Sequence, residues 1–212
     1  MYINQDNHEA VFAAAWHNQN NTSIEFDPLD VNQVLADEYE GGEKLTLTRT
    51  QLWEMEVRKA ARPDLFIPGM IRAGTSRSWG RRILESGHEV FTRVSEQRLW
   101  LQPGSYGTVI EACYLNHSRQ QVTFIGLPEV EDDAGQPIVA STGQPLFHVV
   151  HGVSGTEETP LNTWRIVHLA GDESGALAER FELMSQASGL PEYVENYIQD
   201  VLKIPPLKKR SN

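Results

Sequence analysis

Residues 145 to 171 read PLFHVVHGVSGTEETPLNTWRIVHLAG, and their pattern decides the fold class. Two runs of β-branched, aromatic and aliphatic residues, Leu146 to Val153 and Thr163 to Leu169, flank a polar stretch holding Gly155 and Pro160, residues that break strands. The pattern predicts a β-hairpin. Closed symmetrically about a loop of about nine residues, it sets Val149 near His168 and His151 near Ile166, because antiparallel partners keep a constant sum of residue numbers. One face then carries Phe147, Val149, His151 and Val153 with Trp164, Ile166 and His168. The other carries Leu146, His148 and Val150 with Arg165, Val167 and Leu169. Both faces are largely apolar, so the hairpin belongs inside a domain.

Around it, the chain of 212 residues has 40% hydrophobic and 22% charged residues, the make-up of a globular protein. A net charge of −11 with scattered Lys and Arg argues against a nucleic-acid partner, since phosphate binding needs a basic stripe. No apolar run is long enough to span a membrane, and the opening MYINQDNHEAVF lacks the charged start and apolar core of a secretory signal; a cytoplasmic location is expected. Cys113 is the single cysteine, which excludes an internal disulfide and a thiolate zinc site. It is expected to be a small buried hydrophobe on a strand.

Residues 6 to 17 predict a helix capped by Asp6, with Val11, Phe12, Ala15 and Trp16 on one stripe. Asp27-Pro28 signals a second helix ending at Gly41-Gly42, KLTLT a short strand, and Thr50 to Arg62 a third helix with acids early and bases late. Glycines and prolines punctuate 63 to 87, where loops are expected with a short helix at Ser78 to Leu84. From His88 the period changes to two, predicting strands at 88–95, 97–102, 106–117, 120–127, 145–154 and 163–170, with Asp132-Asp133-Ala134-Gly135 in a turn. Ser174 to Ser188 and Pro191 to Leu202 predict closing helices. We read one domain over 1–212: a mainly helical part to 87, an antiparallel sheet over 88–170, and C-terminal helices over 171–212.

This order defines an α+β fold, a strongly bent antiparallel sheet shaped as a cone or half-barrel and covered by the N-terminal helices. Together with the Trp16-bearing first helix and the strand Trp164-Arg165-Ile166-Val167, it resembles the nuclear-transport-factor-like superfamily, the α+β cone also used by polyketide-cyclase-like proteins. A lipocalin-like β-barrel with added helices is the alternative, although a Gly-x-Trp signature is missing. The resemblance implies a pocket between sheet and helices.

His148 and His151 lie three apart on a strand and so point to opposite faces, which argues against a shared metal. His151 and His168 share a face, and an imidazole in an apolar pocket loses proton affinity and can act as a neutral base or donor near pH 7. The competing reading makes both structural core histidines. Glu111 interrupts the apolar strand TVIEACYL; facing a pocket it is a candidate acid or base, facing outward a solvated residue. His151, His168 and Glu111 are therefore the candidate catalytic residues, with Trp164, Phe147 and Trp16 as candidate apolar contacts to a substrate. Phosphate loops of the GxGxxG and GxxxxGK[ST] kinds and a GxSxG elbow are absent, and no cofactor or metal is expected. Two functions stay open. One is an acid–base enzyme of isomerase, cyclase or dehydratase type acting on a hydrophobic small molecule; the other is a non-catalytic ligand-binding or interaction protein, with a homodimer among its expected assemblies.

Overall fold

A computed structural model describes residues 7–143, 146–172, 175–186 and 188–210. Asp6, Pro145 and Ser174, expected at the starts of a helix, a strand and a helix, lie outside the described residues. Seven strands form one antiparallel sheet: β1 (Thr22–Asp30), β2 (Arg77–Ile83), β3 (Glu89–Arg98), β4 (Tyr106–Asn116), β5 (Gln121–Leu127), β8 (Phe147–Gly155) and β9 (Pro160–His168). Their order is β1-β9-β8-β5-β4-β3-β2, while β6 (Glu129–Glu131) and β7 (Pro137–Val139) make a separate small hairpin. With β1 and β2 at its two edges the sheet is open, so the barrel alternative is excluded and the α+β reading stands.

Helices cover both faces. α1 (His8–Trp16) lays Phe12 against Val90, Ala112, Tyr114, Ile125, Val150 and Val167 on one face. On the other, α3 (Arg49–Ala61) and α6 (Glu192–Asn196) bury Leu52, Met55, Tyr193 and Val194 against Phe91, Cys113, Leu115, Val122 and Phe124. The remaining α-helices among the described residues are α2 (Val31–Glu38), α4 (Pro63–Phe66) and α5 (Ala176–Ser185). Among the described residues no helix is long and apolar enough to cross a membrane.

The hairpin closes more tightly than expected. Gly155, at φ 78°, and the Thr156 N–H to Thr159 carbonyl bond turn the chain within residues 156–159, so Pro160 pairs with Gly155 and joins the strand. The register becomes Phe147 to His168, Val149 to Ile166 and His151 to Trp164. That is a slip of two residues from the expected pairing, and because side chains alternate with period two, every residue keeps its face.

Four further expectations are corrected. Asp27-Pro28 does not open a helix; Pro28 sits in edge strand β1, where the register against β9 slips between Phe26 and Leu29, and Asp30 caps α2 instead by accepting from the Gln33 N–H at 3.0 Å. KLTLT is not a strand, because Leu47 pairs its backbone N–H and C=O with the side-chain amide of Asn32, both at 2.9 Å. Ser78 to Ile83 belongs to strand β2 and Leu84 follows it, and the exposed edge position of β2 leaves it without an apolar pattern. β3 runs unbroken where two strands were expected.

Docking of α1 depends on Phe12, which is almost wholly buried. Phe12→Ala should lower the unfolding free energy in urea by about 3 kcal/mol, the usual cost of emptying an aromatic core site. A loss below about 1 kcal/mol would show that α1 contributes little to the core.

Candidate functional site

Helix α3 begins with a capping box: Thr48 Oγ1 accepts from the Gln51 N–H at 3.1 Å, and Gln51 Oε1 accepts from the Thr48 N–H at 2.9 Å. This start fixes which stripe faces the sheet. Leu52, Met55, Glu56, Lys59 and Ala60 follow at helical spacing and are all buried. Two positions where apolar residues would ordinarily stand therefore hold opposite charges.

Lys59 Nζ lies 2.9 Å from Glu56 Oε1 and 2.7 Å from Oε2, donates to His151 Nδ1 at 2.8 Å, and sits 3.7 Å from the centre of the Tyr193 ring. Asn162 Nδ2 donates to Glu56 Oε1 at 3.0 Å, and the Tyr193 hydroxyl donates to Asn162 Oδ1 at 2.7 Å. An ammonium has no lone pair, so Nδ1 of His151 is the acceptor and its proton rests on Nε2. Among the described residues Nε2 has no hydrogen-bond partner.

Charge and burial set the protonation states. Burial alone would raise Glu56, but Lys59 and then His151 outweigh it and hold the carboxyl down to about 2. Burial followed by the Lys59 charge pushes His151 down to about 4, against the pull of Glu56. Lys59 is lowered by burial, with Glu56 opposing. Burial and then Glu56 push the Tyr193 hydroxyl well up, so it stays a donor. At neutral pH the cluster is a carboxylate, an ammonium and a neutral imidazole.

A second buried pair flanks the first. Arg93 on β3 stands directly across from Glu111 on β4 and reaches its Oε2 with Nε at 2.9 Å and with Nη2 at 2.6 Å. Nη1 of Arg93 donates to the Ala60 carbonyl at 2.8 Å, satisfying the C-terminal end of α3 where the helix dipole is negative. Oε1 of Glu111 has no partner among the described residues.

A cavity of about 330 Å³ runs along this face, within the range of small-molecule sites. Lys59, His151 and Tyr193 line one part, Arg93 and Glu111 another, and Phe124, Val149, Trp164, Ile166, Phe147 and Trp100 give it apolar walls. The Phe124 ring separates the two polar groups, 5.6 Å from the His151 ring and 4.6 Å from the Arg93 guanidinium carbon. Of the residues singled out in the sequence, His151, Glu111, Trp164 and Phe147 thus meet in one cavity. His168 shares their face but lies at the end of β9 across from Phe147, outside the cavity lining, with its ring 5.2 Å from the Phe147 ring. Trp16 lies on the α1 face of the sheet, packed on Phe12. His148 also faces that side, its Nδ1 accepting from the Gly126 N–H at 3.2 Å. Cys113 is buried, and burial pushes its thiol up to about 12, away from reactivity.

Glu56, Lys59 and Arg93 were not singled out in the sequence. A helical wheel carries the missing signal for the first two, since Glu56 and Lys59 fall on the Leu52–Met55–Ala60 stripe. For Arg93 it is alternation with Phe91 and Ser95 on the buried face of β3.

Solved structures similar to this chain include the Zhui aromatase/cyclase from Streptomyces sp. R1128, 13% identical, covering 86% of this chain and 90% of that one at a TM-score of 0.39. Norcoclaurine synthase from Thalictrum flavum, solved with dopamine and hydroxybenzaldehyde, is 11% identical, covering 86% of this chain and 87% of that one at a TM-score of 0.45. A START superfamily protein from Mycobacterium smegmatis is 11% identical, covering 78% of this chain and 95% of that one at a TM-score of 0.35. No protein-family model and no curated protein matches the sequence. These likenesses concern fold alone, and the chemistry of the site rests on its own geometry.

Two expected outcomes follow from the buried cluster. His151 binds a proton near pH 4 in the folded chain and near 6.5 when unfolded, so its contribution to stability is full above 6.5 and is lost as pH falls through 4. Urea unfolding of the wild type between pH 7 and 4 should lose more stability than that of His151→Gln, and parallel curves would refute the buried neutral imidazole. Lys59→Met strands the Glu56 carboxylate and should cost about 3–5 kcal/mol, whereas Glu56→Gln combined with Lys59→Met should recover much of that loss. Additive losses in the double variant would mean that the two charges are not coupled.

Proposed function

We propose that the cavity binds a largely apolar small molecule bearing a conjugated carbonyl group and moves a proton on its carbon skeleton, the first step shared by isomerase, cyclase and dehydratase chemistry. The observation that carries this reading is the Lys59 to His151 Nδ1 contact at 2.8 Å, which leaves Nε2–H as a donor on a residue lining the cavity. The ammonium behind the ring favours negative charge in front of it, so His151 suits a carbonyl oxygen that becomes an enolate. Glu111 supplies the acceptor. Its Oε2 is held by Arg93 and its Oε1 is left to take a proton.

The separation of the two groups bears on the substrate. Glu111 stands opposite Gly126 on β5, and His151 stands opposite Val122 of that strand. Four residues along the strands and two strand spacings across place their Cα atoms about 16 Å apart. Side chains reaching inward from both ends leave room for a ring or conjugated chain along Phe124, so the proton taken by Glu111 comes from a carbon conjugated with the carbonyl and not necessarily next to it. His168, outside the lining, and Trp16, on the other face, have no part in this mechanism.

A set of conjugated aryl ketones incubated in D₂O and followed by NMR tests the proposal. At least one ketone should bind saturably and exchange carbon-bound protons faster than in buffer. His151→Phe and Glu111→Gln should each slow that exchange by about 10²-fold or more while the ketone still binds. Saturable binding with no exchange above buffer would leave the non-catalytic binding reading, which the closure of the Glu56–Lys59–Asn162–Tyr193 network favours.

A further inference from the structure

Among the described residues three cationic side chains line the cavity: Lys59, Arg93 and Arg180. The first two are matched by the carboxylates of Glu56 and Glu111. Arg180 has neither an ion pair nor a hydrogen bond among the described residues, in a chain of net charge −11. Its place follows from α5, which buries Leu177 and Phe181 against Ile166, Phe147, Phe26 and Trp100. Arg180 and Met184 stand four residues apart on the flank of that stripe, so both reach the cavity wall, and Arg180 is exposed at its solvent side. Glu111, the acidic side chain of the lining among the described residues, is paired with Arg93, and Glu56 lies behind the wall, enclosed with Lys59.

Resting on the reading of this cavity as a small-molecule site, we infer that Arg180 selects ligands carrying an anionic group, a carboxylate or a phosphate ester, at the end left near solvent. The apolar body lies against Trp164, Phe147 and Phe124, and the carbonyl reaches His151. An unmatched guanidinium at a cavity rim presents a planar fork of N–H donors that fits either anion, while a neutral molecule of the same shape gains nothing from it.

Two fluorescent probes with the same aromatic body separate the charge effect from the apolar one: 8-anilinonaphthalene-1-sulfonate is anionic and N-phenyl-1-naphthylamine is neutral. On the full chain they should compete one for one, with the sulfonate bound more tightly. Arg180→Gln should weaken the sulfonate by about five- to tenfold and leave the neutral probe unchanged, and Arg180→Lys should retain most of the preference. Salt should weaken only the sulfonate. Competition by octanoate and by octyl phosphate then shows which anion the rim prefers. If the neutral probe binds and Arg180→Gln changes both probes alike, or neither, the inference is overturned while the cavity reading stands. If the neutral probe does not bind at all, the cavity reading fails first and the inference falls with it.

Discussion

The pair formed by Glu56 and Lys59 constrains the structure more than any other contact. Each ion taken out of water costs several kcal/mol unless its partners are placed well, and both ions here sit between α3 and the sheet. The surroundings are arranged to meet that demand. Asn162 on β9 turns its amide to Glu56, Tyr193 brings α6 over the ammonium and anchors Asn162 with its hydroxyl, and His151 on β8 takes the donor that Glu56 leaves over. Three elements are thus tied to one helix by polar bonds whose loss would strand a charge. Apolar contacts could hold the same layers together, but they would tolerate sliding that this network does not.

Arg93 extends the constraint to the other end of the cavity. Its guanidinium satisfies the last carbonyls of α3 and grips Glu111, so one rigid helix positions both polar ends of the site. Between them, at Gly126 on β5, the backbone of β8 comes in close. A Cβ there would meet the Phe147 carbonyl oxygen at 2.3 Å, and the Gly126 N–H turns to His148 Nδ1 where the pairing of β5 with β8 ends at Ile125 and His148. Glycine at 126 is therefore required by the close passage of the β8 backbone beside the cavity.

How far the sequence reveals this depends on the kind of signal each residue leaves. Period-two alternation identified β4, β5 and the β8–β9 hairpin with their faces, and it brought His151, Glu111, Trp164 and Phe147 forward, because a polar or aromatic residue within an alternating apolar run stands out. Register was set by the 156–159 turn, whose chemistry a symmetric closure overlooks. The edge strands stayed hidden for a different reason. β2 is mostly exposed, and β1 contains a proline that ordinarily speaks for a helix start. Glu56 and Lys59 leave an ambiguous signal, since acids early and bases late in a helix also describe a solvated, dipole-matched surface. Asn162 and Tyr193 reach the cluster through contacts distant in sequence, which no local pattern encodes.

The protonation pattern narrows the chemistry that the proposed site can perform. A histidine in a pocket is ordinarily the first candidate for a base, but His151 binds protons only near pH 4, and its Nδ1 lone pair is already occupied by Lys59. Near neutrality it has no acceptor left. It can only donate through Nε2, with a fixed positive charge 2.8 Å behind the opposite nitrogen to steady an oxygen that gains electrons. Lys59 cannot give up its own proton cheaply, because doing so would leave the Glu56 carboxylate buried without its cation. In the proposed reaction proton removal falls to Glu111, the lining carboxylate with an uncommitted oxygen among the described residues, and the two proposed roles are divided between β8 and β4 with Phe124 between them. A substrate served by this arrangement needs its acidic carbon and its carbonyl at opposite ends of a conjugated path, and a compact ketone with both at one end would meet only half of the site.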